Sequence, residues 1–316
     1  MEKLIKLLEE QRGNWISGED IAIQCGVSRA TIWKRVKKLK ERNYLIESSS
    51  KLGYRLAHNS DVINVNQINQ LLNFDTEVIH LDTVTSTNDY LRSIITDTLP
   101  SFTVVISDQQ THGKGRKGRS FYSPDSNGIY MSILIRPSFS TEIALQLTAM
   151  IAVAASEAID SLYLLDTKIK WVNDLYIKDF KVAGILCEGQ YEIDSNSFSY
   201  IIVGIGINTK KQVFPEELKE IVSSIENHIN DSVNRNILIA EILNRFKYHY
   251  DNQTNFIATY KNKSNLINTL VEVIEPNNTY IAKVIDINNQ AHLIVESEGK
   301  IIELSSSEVS ILRRNK

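Results

Sequence analysis

The sequence predicts a multidomain α+β chain. Its parts are an N-terminal winged helix-turn-helix over 1–60, a central α/β domain with a mixed sheet over 61–264, and a small C-terminal β-barrel over 265–316. Three observations carry this reading. The head reads as three short helices and a strand pair, and it is basic. The middle alternates apolar strand-like runs with helical stretches. The tail is a series of short strands separated by turns.

In the head, Leu4, Leu7 and Leu8 lie at helical spacing. Ser17-Gly18-Glu19-Asp20 has the form of a capping box opening a second helix that carries Ile21 and Ile23. Gly26 ends that helix, and Ser28 caps a third. In the third helix Ile32, Val36 and Leu39 make one buried stripe, with Arg29, Ala30, Trp33, Lys34, Lys37 and Lys38 on the other faces. Two short helices, a glycine turn and a basic helix make a helix-turn-helix. The strand pair Tyr44-Leu45-Ile46-Glu47 and Gly53-Tyr54-Arg55-Leu56 adds a wing. Residues 1–56 hold twelve Lys and Arg against seven Asp and Glu, whereas the whole chain carries a net charge of −3. A basic head on an acidic body points to an anionic partner for the head, double-stranded DNA. Ser28, Arg29, Trp33, Lys34 and Lys37 are its candidate contacts. For Trp33 two places are open, the DNA or the domain core.

The body opens at the polar Asn59-Ser60-Asp61, and 61–74 has the character of a linker helix. Val78-Ile79-His80-Leu81 is a strand that runs into Thr85-Ser86-Thr87-Asn88, whose short polar side chains either cap the next helix or hold a ligand. Thr103-Val104-Val105-Ile106-Ser107 and Gly128-Ile129-Tyr130-Met131-Ser132-Ile133-Leu134-Ile135 are strands flanking Gly113-Lys114-Gly115-Arg116-Lys117-Gly118-Arg119. That loop packs three glycines and four cations into seven residues, which suits a phosphate or a carboxylate. A long apolar helix spans 142–162. After it come Lys168-Ile169-Lys170-Trp171-Val172-Asn173-Asp174 and Lys181-Val182-Ala183-Gly184, where small residues beside a lysine leave room for a ligand. In Val203-Gly204-Ile205-Gly206-Ile207-Asn208 both glycines fall on one face, a surface open to a flat ring. The stretch 210–217 is polar, and Ile239, Ile242, Leu243 and Phe246 mark a closing helix. The tail strands are Leu270-Val271-Glu272-Val273-Ile274, a run over 280–287, His292-Leu293-Ile294-Val295 and a run over 300–304, with Pro276-Asn277-Asn278 as a turn.

No apolar run approaches the ~20 residues of a bilayer span, and the first residues lack the form of a secretory signal. Two distant cysteines, Cys25 and Cys187, read as buried free thiols, and a cytoplasmic place and no membrane partner are expected. Six scattered histidines show no metal-ligand spacing, so no protein-held metal is expected.

The basic loop is very similar to the ligand loop of biotin protein ligases, which reads G-R-G-R-x-G-R. The polar run at Ser86, the Lys-Trp-x-Asn-Asp run at 170–174, Lys181 with Ala183-Gly184, and Gly204-x-Gly206-x-Asn208 match that family's other landmarks in order. The chain has Lys114 where the family has Arg, Lys117 where it often has Arg, Phe121 where it usually has Trp, and Val172 where it has Pro. The winged helix makes it resemble the bifunctional class, ligase and biotin operon repressor. The resemblance implies a class II synthetase-like central domain and an SH3-like tail. It implies ATP, biotin and Mg²⁺, the last held by substrate phosphates, with biotinyl-5′-AMP as intermediate and corepressor. The partners would be a biotin carboxyl-carrier protein, operator DNA and a second copy of the chain, joined when biotinyl-5′-AMP binds. By the same resemblance Ser86, Thr87, Asn88, Gln110, Lys114, Gly115, Arg116 and Lys181 hold biotin. Arg116, Arg119, Phe121, Lys170, Asn173 and Asn208 hold the adenylate, and Lys181, Arg116 and Asp174 serve catalysis. A side-chain amide such as Gln110 both donates and accepts, as a cyclic urea demands. Two alternatives remain, a lipoate-type ligase and a non-enzymatic winged-helix sensor of a small molecule.

Overall fold

The computed structural model describes residues 1–136, 143–192, 194, 197–252, 255–275, 278–305 and 308–311. The chain forms two compact units, Met1–Asn64 with Ser232–Asn236, and Val65–Asp231 with Ile237–Lys316.

The first unit holds helices α1 (Glu2–Glu10), α2 (Gly18–Cys25) and α3 (Arg29–Glu41) and strands β1 (Ile46–Ser49) and β2 (Gly53–Leu56). Its core gathers Leu4, Leu8, Ile21, Ile32, Val36, Leu39, Ile46 and Leu56. The expected caps form. Ser17 Oγ accepts from the Asp20 N–H, Ser28 Oγ accepts from the Thr31 N–H, and Gly26 ends α2 at φ 66°. The strands pair antiparallel from Ile46↔Leu56 to Ser49↔Gly53, which makes the wing. Ile23 points outward at 71% exposure, while Ile21 is buried. Asp61 meets Arg235 in a buried ion pair. Arg235 Nε donates to Asp61 Oδ2 at 2.6 Å, and the Arg235 backbone N–H donates to Oδ1 at 3.0 Å.

The second unit begins with α4 (Val65–Leu71), β3 (Val78–Val84), α5 (Thr87–Ile94), β4 (Val104–Gln110) and β5 (Gly128–Ile135). It continues with α6 (Ile143–Tyr163), β6 (Thr167–Lys170), β7 (Asp174–Ile177), β8 (Phe180–Glu192) and β9 (Ser197–Asn208). Seven strands form one mixed sheet in the order β3-β4-β5-β9-β8-β7-β6. Only β3 and β4 run parallel; the other neighbours are antiparallel. β5 is buried along its whole length, as its apolar run requires. α6 is 21 residues long. Its stretch Leu145–Tyr163 is long and apolar enough to cross a membrane by length and composition, contrary to the expectation that no run reaches that size; it is 67% buried inside the fold. The expected start of this helix, Glu142, lies outside the described residues.

Helices α7 (Arg235–Asn252) and α8 (Phe256–Lys263) follow. Ile239, Ile242, Leu243 and Phe246 are all fully buried, as their spacing predicted. The tail is a five-stranded antiparallel sheet of β10 (Leu270–Glu275), β11 (Asn278–Ile287), β12 (Leu293–Ser297), β13 (Lys300–Leu304) and β14 (Glu308–Ile311), ordered β13-β12-β11-β10-β14. Pro276 and Asn277 of the expected turn lie outside the described residues. Two bonds tie this sheet to the rest of its unit. Trp171 Nε1 donates to the Ala291 carbonyl at 2.9 Å, and Lys261 Nζ pairs with Asp286 at 2.9 Å. Both cysteines are free and only partly buried.

Candidate active site

A cavity of about 360 Å³ opens on one face of the seven-stranded sheet. Its walls include every residue that the sequence resemblance implied for biotin and adenylate: Ser86, Thr87, Asn88, Gln110, Lys114, Gly115, Arg116, Arg119, Phe121, Lys170, Asn173, Asp174, Lys181 and Asn208. They meet because they sit at strand ends or just beyond them: β3 and β4 deliver Ser86 and Gln110, β6 and β7 deliver Lys170 and Asp174, and β9 ends at Asn208.

The floor is set by glycines. Gly184 and Gly206 are register partners on β8 and β9, and Gly204 faces Ser132 on β5. A Cβ at Gly206 would lie 2.5 Å from the Phe121 ring, and one at Gly204 would lie 2.4 Å from Asn88 Oδ1. The bare face expected to take a ligand ring therefore carries the chain's own Phe121, which also packs edge-on against Tyr130 at 6.4 Å.

The polar corner is a closed hydrogen-bond set. Ser86 begins α5 but makes no side-chain cap bond, so of its two expected roles capping does not occur. Gln110 Oε1 accepts from the Thr87 backbone N–H at 2.8 Å and from its hydroxyl at 3.1 Å, while Gln110 Nε2 donates to Ser123 Oγ at 3.0 Å. An amide nitrogen carries two protons, so one N–H of Gln110 is left for a ligand. Ser132 Oγ lies 2.6 Å from Asn88 Oδ1 and 2.7 Å from Thr87 Oγ1. It has a single proton, and the Asn88 oxygen can only accept, so that proton goes to Asn88, and the Thr87 hydroxyl proton is shared between Ser132 Oγ and Gln110 Oε1.

The basic loop closes on itself. Gly115 N donates to Arg119 O at 2.7 Å, and Phe121 N donates to Gly113 O at 2.8 Å. Gly113 must lack a side chain because a Cβ would lie 2.5 Å from the Phe121 carbonyl oxygen, and Gly118 sits at φ 73° at the tip of the turn. Lys114 Nζ reaches Asp89 at 2.7 Å.

On the other side, Lys181 Nζ stands 2.7 Å from Asp174 Oδ1. The approach is an ion pair but not an aligned hydrogen bond, and this buried oxygen has no hydrogen-bond partner. Asn173 is used as scaffold, since its Nδ2 donates to the Ile185 carbonyl at 2.9 Å. Asn208 is 3% exposed and its Oδ1 also has no partner. Such an oxygen is costly to bury unless a donor arrives. Nearby Tyr260 donates its hydroxyl to the Val172 carbonyl at 2.9 Å, and burial raises its pKa, so it stays a neutral donor. Burial pushes the Cys187 thiol up to about 12, which removes it as a nucleophile.

In the first unit Ser28, Arg29, Lys34 and Lys37 are exposed, and Trp33 is 58% exposed. That settles where Trp33 lies: it is outside the core, on the same helix as the cations.

Residues 80–208 match the model of the biotin/lipoate A/B protein ligase family, and residues 1–55 match an HTH domain. Bifunctional ligase/repressor BirA of Bacillus spizizenii is 31% identical to the chain over 320 residues, covering 98% of the chain and 97% of that protein. The chain belongs to the bifunctional ligase/repressor family. The Escherichia coli protein of the same name is 28% identical, covering 98% of the chain and 96% of that protein. Among solved structures, a biotin protein ligase from Aquifex aeolicus in complex with biotin and ATP matches with TM-score 0.65 and 26% identity, covering 75% of this chain and 99% of that one.

Some features of this bifunctional ligase/repressor chain are not legible in the linear sequence. Phe214, Leu218, Ile221 and Val222 form an apolar wall of the cavity, in and just after the polar-looking stretch 210–217. The wall is pinned by its backbone: Lys181 N donates to Ile221 O at 2.9 Å, and Ser223 N donates to Lys181 O at 3.0 Å. Away from the cavity, His80, Asp82 and Asp108 bring possible ligand atoms within 4.8 Å of one another. Linear spacing could not reveal that group because Asp108 comes from the neighbouring strand. Its His80 Nε2 and Asp108 already pair at 2.8 Å, which accounts for both without an ion.

The glycine floor carries a prediction. Asn88 is held by Ser132, so it cannot yield to a new methyl group. Gly204→Ala is expected to cost about 1–3 kcal/mol of ligand binding by overpacking. The check is the biotin dissociation constant by calorimetry, which should rise about 5- to 150-fold at that cost.

Proposed function

We propose that the chain is an ATP-dependent biotin protein ligase that also acts as an adenylate-responsive repressor. The observation that carries the ligase reading is the cavity in which a basic loop, Lys181, a polar corner and the unpartnered Asn208 oxygen converge. In the first step a biotin carboxylate oxygen attacks the α-phosphorus of ATP. The bond to the bridging oxygen breaks, and pyrophosphate leaves. Lys181 and Arg116 face the carboxylate and α-phosphate; Arg119 and Lys114 face the other phosphates. Negative charge gathers on oxygen, so catalysis is chiefly positioning and cation stabilisation. Ser86, Thr87 and the spare N–H of Gln110 meet the ureido ring, and Asn208 Oδ1 accepts from the adenine amino group. In the second step a lysine amine of a biotin carboxyl-carrier protein attacks the acyl carbon and AMP departs. Asp174, paired with Lys181 at 2.7 Å, guides that amine to the acyl carbon.

Among the described residues the cavity walls hold one carboxylate, Asp174, and it is paired with Lys181. Such a site fits an Mg²⁺ ion carried mainly by substrate phosphates rather than by a protein cage. When bound, the ion screens the triphosphate charge. The relatives' names favour biotin over lipoate as the acid. The ligase reading is tested by mass spectrometry of a carrier domain incubated with the chain, biotin and MgATP. The expected result is one biotinyl adduct on lysine; an unmodified carrier would overturn it.

For the repressor role, the exposed face of α3 with Arg29, Trp33, Lys34 and Lys37 meets operator DNA in the cytoplasm. One such module makes few base contacts, and helix-turn-helix proteins read two half-sites as dimers. Biotinyl-5′-AMP, which accumulates when no acceptor remains, therefore favours a homodimer. By linkage, ligand and dimer strengthen each other by the same factor. Sedimentation and operator binding at fixed salt should both rise with adenylate. Indifference of both to adenylate would leave a ligase with a DNA-binding head but no biotin sensing.

A further inference from the structure

Asn88 is 4% exposed and lies against the glycine floor, and both ends of its amide are engaged by the protein. Its oxygen accepts from Ser132. Its nitrogen donates to Glu188 Oε2 at 2.7 Å and, more weakly, toward the Leu186 carbonyl at 3.4 Å. A carboxylate only accepts, so Glu188 fixes which way the amide faces. The other oxygen of Glu188 pairs with Arg92 Nη2 at 3.1 Å. Arg92 Nη1 pairs with Asp89 at 2.8 Å, and Asp89 takes Lys114 of the basic loop at 2.7 Å. Asp89 sits in the first turn of α5, where a carboxylate is favoured by the helix N-terminus.

We infer that Glu188 is a positioning residue of the ligase: it orients the ring-binding corner through Asn88 and, through Arg92 and Asp89, anchors the basic loop by Lys114. This rests on the ligase reading above. The individual ion pairs are partly exposed, and such pairs are weak one at a time. The strong member is the charge-assisted bond from the buried Asn88 amide to Glu188. That bond sits in the corner assigned to the biotin ring, away from the triphosphate, so losing Glu188 affects biotin before ATP. The Lys114 ammonium has three donors, so pairing with Asp89 tethers the loop without removing Lys114 from the phosphates.

The test uses the full chain in three forms: wild type, Glu188→Ala and Glu188→Gln. Glutamine keeps an oxygen for Asn88 and loses the charge facing Arg92. The readouts are KM for biotin, KM for ATP and kcat of pyrophosphate release, with the rate of tryptic cleavage in the loop. Glu188→Ala should raise the biotin KM about tenfold, the size expected for a lost hydrogen bond to a charged group. Its kcat and ATP KM should change less than its biotin KM, because the loop arm is made of weak, partly exposed pairs. Glu188→Gln should restore the biotin KM but not the slow cleavage, because only its loop arm is cut. An unchanged biotin KM in Glu188→Ala overturns the inference. So does an equal fall in every parameter with a lowered Tm, which marks a merely structural residue. If wild type releases no pyrophosphate with biotin, the ligase reading fails, and cleavage rates still judge the loop arm alone.

Discussion

Lys181→Ala should lower the rate of adenylate formation about 10²–10³-fold, or about 2.7–4 kcal/mol, the scale for removing one preorganised group from a developing anion. The residue is held to its task from three sides. Its backbone is bonded to Ile221 and Ser223, its side chain lies over Gly184, and Asp174 stands 2.7 Å from its Nζ. Alanine keeps the strand and removes the charge, so the fold and Tm should be near normal. Lys181→Arg should not rescue fully, because a planar guanidinium does not fit where a single compact ammonium lies 3.3 Å from the Gly184 Cβ position. Single-turnover kinetics separate the chemical step from product release. A Lys181→Ala enzyme with near-normal pyrophosphate release would remove Lys181 from the catalytic machinery.

Asp61→Ala should destabilise the first unit by about 3–5 kcal/mol, the usual result of breaking a buried pair from one side. Arg235 and Asp61 are 1% and 5% exposed at their side chains. Removing the carboxylate takes the Asp61 charge from a buried guanidinium and the acceptor from the first N–H of α7. Replacing both partners with apolar residues, Asp61→Leu with Arg235→Met, should cost much less than Asp61→Ala alone, since no uncompensated charge remains. Urea denaturation followed through Trp15 and Trp33 fluorescence reads the difference, because both tryptophans lie in that unit. Equal losses for the single and double variants would show that the pair contributes through packing and not charge.

The helix-turn-helix was legible because its signals are local. Ser17, Gly26 and Ser28 act within a turn of their own positions, and Ile32, Val36 and Leu39 repeat at one helical face. The cavity residues were legible as separate short motifs, each tied to a strand end, so the sheet only had to bring those ends together. What stayed hidden depends on long-range pairing. Asp61 and Arg235 are 174 positions apart with no pattern joining them. The wall of Phe214, Leu218, Ile221 and Val222 looked polar because Lys210, Lys211, Glu216 and Glu217 interrupt it, and backbone bonds to Lys181 place it. β14 is four residues long and follows a serine run, too short for a period to show. The glycine floor was read correctly as a bare face, but the ring resting on it belongs to Phe121, and only the closing of the basic loop brings that ring in.

The most direct measurement is pyrophosphate release by the purified full chain from MgATP with biotin, with lipoate and with no added acid. Release is expected with biotin alone among the three, lowered about 10²–10³-fold in Lys181→Ala and followed by a stable biotinyl-5′-AMP complex when no carrier is present. Release driven by lipoate and not biotin would assign the cavity to the other acid, and no release with either acid would contradict the ligase account itself.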